Sequence, residues 1–368
     1  MKKLFKCLAI ILLLSLTILS LFACTNEPHG EDPLDGHVCD ENCTLTATEW
    51  FDNYKHYPKT LLCDSGKTVR RSKIEIATAN DFILLASDLK ASNFVGITEF
   101  IFTNDIDMAG KVWEPIDFRI TKSSSYYDTV LDFDGNGKTI KNLTMLEDYS
   151  YNAGIFGEVN GAVGFTFKNL TLDGAKIYGD VEDSMGSTSG SEKGIGAFIG
   201  APRGIEKDII ISGCTLKNSE IKGAHWAGGF LGYVSKEKMT TTLDTGKVLV
   251  SITDSTVENS SIISKGSAGG IVGHAGGCRN IKMTANSVTV KNSTITCLGS
   301  SKIKAGSFVG TVGLAQITIT NSTFTENTVV SGGQENTIRK YYGRFGGASD
   351  VEFGRLSVNG QTIDPHEN

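Results

Sequence analysis

Four side chains of the kind that stack on and hydrogen-bond small ligands fall in or beside two variable segments of the chain: His225, Trp226, Tyr233 and His274. Indole and phenol rings offer a flat apolar face with a polar tip, and an imidazole adds a donor and an acceptor near neutral pH. This is binding chemistry, and packing beside a glycine-rich strand is the alternative use of the same residues. Catalytic groupings are thinner. No His-Glu-x-x-His motif occurs, nor a Gly-x-Ser-x-Gly elbow between a strand and a helix. Asp132-Phe-Asp134-Gly-Asn136-Gly137 matches the opening of a calcium loop, but its twelfth position is Leu143 where a bidentate Glu is needed, so a tight turn is expected. Asp105 and Asp107 are expected to bond local backbone. Asp173, Glu220, Glu258 and Glu326 stand singly beside turns rather than in the pairs that sugar hydrolysis requires. No catalytic residue, metal or cofactor is assigned. A carbohydrate-active enzyme is the second reading behind a non-catalytic binding scaffold.

What positions these residues is a repeat. Ala268-Gly269-Gly270-Ile271-Val272-Gly273 returns in altered form along the chain, with closing glycines Gly157, Gly200, Gly232, Gly273, Gly310 and Gly346 spaced by 43, 32, 41, 37 and 36 residues. Self-similarity at that period implies stacked units, none able to bury its apolar face alone. A second motif accompanies it. Asn142, Asn169, Gly213, Asp254, Asn292 and Asn321 occupy one column, restricted to residues that enter the left-handed backbone region cheaply, so the column is expected to be one line of bends. Alternating apolar residues precede it (Phe165/Phe167, Ile209/Ile211, Val250/Ile252, Val288/Val290, Ile317/Ile319), and a Thr column follows (Thr144, Thr171, Thr215, Thr256, Thr294, Thr323). A second turn is expected at Gly174, Asn218, Asn259 and Asn327, then a third strand led by Ile177, Ile221, Ile262 and Val329. Three short strands per unit describe an all-β parallel solenoid.

The glycine-closed units resemble the GLUG motif of bacterial surface proteins, and Phe102–Ile116 with Phe133–Thr144 resembles the opening segment of those right-handed parallel β-helices. The similarity spans residues 73–346. It implies a β-helix at the cell surface, as in adhesins, lipoproteins and the non-catalytic parts of immunoglobulin-cleaving proteases, and implies no catalytic residue.

Three organisational segments are expected: residues 1–23 as a lipoprotein signal peptide, 24–72 as a tether with a Cys-containing stretch, and 73–368 as the β-helix. Lys2, Lys3 and Lys6 precede an apolar run from Leu8 to Leu19, and Leu21-Phe22-Ala23-Cys24 reads as a lipobox that makes Cys24 the lipid-bearing residue. The run is shorter than the about 18 apolar residues of a spanning helix. Loss of the three lysines deepens a net charge of −6, and an acidic chain argues against nucleic acid. The expected location is thus the cell envelope, lipid-anchored at the outer membrane or cell surface; partners are the membrane and a host protein or glycan, with the chain itself a monomer. Cys39, Cys43 and Cys63 are read as disulfide-forming, with zinc beside His37 or His56 as the alternative, and an odd thiol left free or paired with Cys214, Cys278 or Cys297.

A helix capped by Thr78 or Asn80, with Phe82, Leu85, Ala86 and Leu89 on one face, is expected to close the first rung. Within the glycine strand, Ile155, Phe198, Phe230, Ile271 and Phe308 alternate with a second apolar column; only Arg344 breaks either column, and it breaks the first, which points to that column as an outward apolar stripe and makes Phe198, Phe230 and Phe308 binding candidates. Inward turning at the glycines, or cover by the insertions, would make them structural instead.

Cys24→Ser is expected to leave the precursor unprocessed or release the protein from membranes. Mass spectrometry and detergent phase partitioning read this out, and unchanged mass with unchanged retention would rule out the lipobox.

Overall fold

The structure, a computed structural model, describes residues 45–50, 58–63, 68–70, 73–90, 97–120, 124, 126, 128–146, 151–179, 193–223, 225–235, 248–276, 281–299, 304–335, 341–345 and 355–363. Cys24, Cys39, Cys43 and Cys278 lie outside the described residues. The chain forms two compact units, Met1–Ile74 and Glu75–Asn368. In the first, Leu45–Trp50, Pro58–Cys63 and Thr68–Arg70 form an antiparallel sheet, which the sequence reading did not anticipate.

The second unit is a right-handed parallel β-helix. One turn illustrates all: Ile209–Ser212, Thr215–Lys217, Glu220–Gly223, Trp226–Gly228 and Leu231–Val234 follow one another, and each joins a different sheet, here called A to E in that order. Register is strict. Phe165, Ile209, Val250, Met283 and Ile317 stack in sheet A, and Leu172, Leu216, Val257, Val290 and Phe324 in sheet B. These residues are buried, and Phe100, Phe133 and Phe167 stack at 4.8 and 5.3 Å between ring centroids to fill the early rungs.

The pairing corrects the bend alignment. Asn169, Gly213, Asp254 and Asn321 do share a line, continued by Ser287 and Gly360. Asn142 and Asn292 belong instead to the second bend, with Gly174, Asn218, Asn259 and Glu326. All have positive φ, the backbone state expected of these residue types, but they form two lines rather than one. Both bends demand the same residue types, and Ser287 at the first bend disguised its rung. Val288 therefore follows a bend rather than preceding one. The Thr column of sheet B is Thr139, Thr171, Thr215, Thr256, Thr289 and Thr323, while Thr144 and Thr294 stand in sheet C. Asn327 follows the second bend and accepts the Ser293 N–H at 3.0 Å, continuing a buried ladder in which Ser219, Ser260 and Ser293 hydroxyls accept the N–H groups of Ala175, Ser219 and Ser260.

The apolar stripe is corrected as well. Ile155, Phe198, Phe230, Ile271 and Phe308 are at most 2% exposed, and so are their neighbours Phe156, Ile199, Leu231, Val272 and Val309. Phe198 lies 5.1 Å from Phe167 of sheet A, ring to ring, so this column points into the core. The chain doubles back at the glycines. A Cβ on Gly228 would collide with the Leu231 carbonyl, and one on Gly232 with the backbone of Gly194 and Ile195, so sheets D and E meet backbone to backbone with no room for side chains. Arg344 lies three residues from the expected register: Tyr342 pairs with Val309 and Arg344 with Thr311, which makes Gly343 rather than Gly346 the last closing glycine. Phe198, Phe230 and Phe308 are core, and no partner is inferred from them.

Both ends are closed. Helix α1 (Ala79–Lys90) is capped by a reciprocal pair, the Thr78 hydroxyl accepting the Asp81 N–H at 3.2 Å and the Asp81 carboxylate accepting the Thr78 N–H at 2.9 Å. Its Phe82 stacks on Trp113 at 4.3 Å and shields the first rung. At the far end Gln334–Glu335 and Gln361–Ile363 fold back as antiparallel strands onto sheets C and A, which occupies edges that would otherwise template another chain.

Outside, Asp107, Lys141, Asp173, Lys217, Glu258 and Lys291 form one column of alternating sign. Lys217 reaches Asp173 at 3.4 Å and Lys291 reaches Glu258 at 2.8 Å. Glu258→Lys would put three lysines on successive rungs, and a loss of about 1 kcal/mol is expected, a few degrees in Tm, recovered in high salt. Glu258→Gln should cost less, and equal losses for the two variants would show that the alternation is not felt.

Candidate functional site

The four ligand-type side chains named from the sequence come together at the D–E corner. Trp226 begins a sheet D strand and Tyr233 lies in the sheet E strand that doubles back beside it; their rings stack at 4.2 Å and 24°. His274 occupies the Tyr233 position of the next rung and meets Trp226 edge-on at 5.1 Å and Tyr233 at 5.3 Å. His225 lies 5.9 Å from Trp226, and its Nδ1 accepts the Lys193 N–H at 3.3 Å, which leaves the proton of the neutral ring on Nε2. His225 and Trp226 are half-buried, Tyr233 is 8% exposed.

Rung by rung, the cluster is flanked by small residues on one side, themselves buried. The residue after each closing glycine forms a column of Glu158, Ala201, Tyr233, His274, Thr311 and Arg344. Facing it in sheet D is the column of Gly194, Trp226 and Ser267. The rung before the aromatic pair thus offers only Gly194 and Ala201, so Trp226 and Tyr233 rise above a floor of small residues. Arg203 stands on that lower rung with its guanidinium 5.6 Å from the Tyr233 ring centre. Beyond it, Glu158 is held by Arg119 at 3.1 Å and by Asn152 at 3.3 Å.

Arg203 escaped the sequence reading, which placed Arg344 in the apolar column of the last rung rather than in the column of Tyr233 and His274. Arg344 sits directly after Gly343 as His274 sits after Gly273, a signal that a correct register of the last repeat would have exposed. The His274 Nδ1 is buried and has no hydrogen-bond partner, and the ring edge packs against Gly276 and Gly313, where a side chain would collide. Burial, and then the charges of Arg344 and Lys304, push its pKa down to about 4.

The other sites considered resolve into structure. A shallow groove of about 620 Å³ follows the second bend, lined by Lys176, Asn218, Glu220, Asn259, Ser261 and Asn292, with Glu220 its lone carboxylate. Asp173 and Glu258 beside it are held by lysines. Asp132 and Asp134 both face Lys168, at 2.8 and 3.7 Å, and the Asp132 hydrogen bond is the main cause that raises the lysine pKa. Asp134 also accepts the Asn136 N–H at 2.8 Å, the tight turn expected of this segment. Asp105 and Asp107 accept the N–H groups of Thr139 and Ala109. Cys214 and Cys297 are free and buried; burial takes the Cys214 thiol up to about 12, out of reach of thiolate chemistry. Among the described residues no group of three His, Cys, Asp or Glu side chains is placed to hold a metal.

A folded-state pKa below the ordinary value of about 6.5 means that the unfolded chain binds the His274 proton first as pH falls. Stability tied to His274 is therefore full above about pH 6.5 and is lost on descent to about pH 4, by an order of about 3 kcal/mol. Denaturant unfolding of wild type and His274→Gln across that range is expected to show a pH slope in the first that is reduced in the second.

No family model matches the chain, and no curated protein matches it. Among solved structures, it is similar to a "putative immunoglobulin A1 protease" from Bacteroides ovatus, with 19% identity, a TM-score of 0.45 and coverage of 80% of this chain and 84% of the other.

Proposed function

We propose that this chain is a lipid-anchored cell-surface protein whose β-helix is a non-catalytic scaffold, displaying the Trp226–Tyr233–His274 corner to a glycan or protein outside the cell. The observation that carries this reading is the stacking of an indole, a phenol and an imidazole from two successive rungs at one corner. The rung below has Gly194 and Ala201 at the Trp226 and Tyr233 positions, the His274 rung has Ser267 facing it, and the next has Lys304 and Thr311. A half-buried indole stacked on a buried phenol offers an apolar wall with a polar rim, the usual makeup of a ligand site. The lipobox at Cys24 and the resemblance of the repeats to GLUG units support the surface location, and the capture of the groove-side acids by lysines supports a binding role over hydrolysis.

A glycan array probed with the folded mature protein, followed by a reducing-end assay on each hit, tests the proposal. Binding without new reducing ends is the expected result, and Trp226→Ala is expected to weaken it about tenfold or more. Turnover of a bound glycan would overturn the non-catalytic reading in favour of a carbohydrate-active enzyme.

A further inference from the structure

The groove of about 620 Å³ at the second bend crosses four successive rungs along the helix axis, with Asn259 and Asn292 on one bank and Lys176, Glu220, Ser261 and Thr294 of sheet C on the other. Earlier rungs engage the bend amide internally. Asn142 donates to Asp107 and Asn218 to Asp173, both at 2.8 Å, in each case the carboxylate one rung back in the column of alternating sign. That alternation withdraws the acceptor from the next two amides. The equivalent neighbour of Asn259 is Lys217, which has donors only, and that of Asn292 is Glu258, whose carboxylate is held by Lys291 at 2.8 Å. Asn259 and Asn292 are exposed, and among the described residues their side-chain amides have no hydrogen-bond partner. The Glu220 carboxylate and the Ser261 and Thr294 hydroxyls across the groove have none either. Lys176 and Glu220 are neighbours in register, so their charges offset and the groove is neutral.

We infer that this groove is a site for a neutral linear saccharide, an extended β-1,4-linked pyranose chain that lies along the helix axis with about one ring per rung. The banks carry the chemistry of hydroxyl recognition: each amide offers donors and an acceptor, each hydroxyl both, and the carboxylate acceptors alone, to sugar hydroxyls that are themselves donor and acceptor. Spacing selects the linkage. Rungs repeat about every 4.8 Å, close to the advance of one ring in an extended β-1,4-linked chain, whereas an extended peptide brings a side chain back to the same face at about 6.8 Å and falls out of step. An α-1,4-linked chain coils and leaves the groove. No aromatic residue lines the groove, so the ligand is held by hydrogen bonds to ring hydroxyls and its affinity accumulates with length. Ser219 and Ser260 beneath are buried, and their hydroxyls donate to Lys217 and Glu258 carbonyls, so they shape the groove without binding. The site shares no residue with the D–E corner, and the inference goes beyond the proposed function without requiring it.

The test is calorimetric titration of the folded mature protein with cellobiose, cellotetraose and cellohexaose, and with maltohexaose, which has the composition of cellohexaose but α-1,4 linkages. Cellotetraose is expected to bind about tenfold or more tighter than cellobiose, cellohexaose within about twofold of cellotetraose because four rungs line the groove, and maltohexaose about tenfold or more weaker than cellohexaose. Asn259→Gly with Asn292→Gly removes both amides and keeps the positive φ of the bend, where Gly174 already stands, and should weaken cellohexaose about fivefold or more with an unchanged circular dichroism spectrum. Should that variant not fold, Thr294→Val on the opposite bank is expected to weaken the same probe about twofold or more. Trp226→Ala should leave cellohexaose affinity within about twofold. Equal binding of maltohexaose, or affinity unchanged in the groove variants, would overturn the site. Cellohexaose binding lost in Trp226→Ala and kept in the groove variants would overturn it in favour of the D–E corner. Binding of no cello-oligosaccharide would also overturn the groove site, while the proposed function would still stand or fall by the glycan array.

Discussion

Every rung of this β-helix lies about 4.8 Å from the next, in register, so the nearest neighbour of most side chains is the residue at the same position one turn away. The constraint is self-compatibility: a column is stable only if its members tolerate each other at that distance. Inside, this selects Phe, Ile, Leu and Val, whose stacking needs no partner of another kind. At the bends it selects residues that accept positive φ, turn after turn. Where hydroxyls are buried after the second bend, each accepts an N–H from the rung below and donates to a carbonyl of its own turn, so the ladder is satisfied by translation alone. On the outer face of sheet B the same requirement forbids like charges in succession, and the column from Asp107 to Lys291 alternates in sign accordingly.

Translation cannot satisfy the first and last rungs, where half of each column's contacts are missing. The chain solves this differently at its two ends. Helix α1 places Phe82 over Trp113, supplying an apolar surface with no strand edge of its own. At the other end two strands reverse direction and consume the exposed hydrogen-bonding groups of sheets A and C.

The D–E corner is where departures from column rules are tolerated. Gly194, Gly228 and Gly232 let two strands lie backbone to backbone. Large rings fit there because their neighbours are small. Tyr233 and His274 therefore pack on Trp226 across the corner rather than on copies of themselves. Function in a solenoid is most readily placed where repetition is broken, and this corner joins broken repetition to polar and aromatic side chains.

By itself the sequence determined the solenoid, its glycine period, the residue types at the bends and the capping helix. Each follows from a local property repeated many times: which residues accept positive φ, which alternate, which cap a helix. It also singled out His225, Trp226, Tyr233 and His274 without relating them. Only the tertiary structure decided register. Asn142 and Asn292 moved from one bend to the other, and Arg344 by three residues, because the two bends use the same chemistry and only the pairing of whole strands distinguishes them. It also decided which way Phe198, Phe230 and Phe308 face. Alternation along a strand fixes side-chain direction only while the strand is straight, and at these glycines the chain turns back on itself, bringing both columns into the core and gathering four rings from two rungs at one corner.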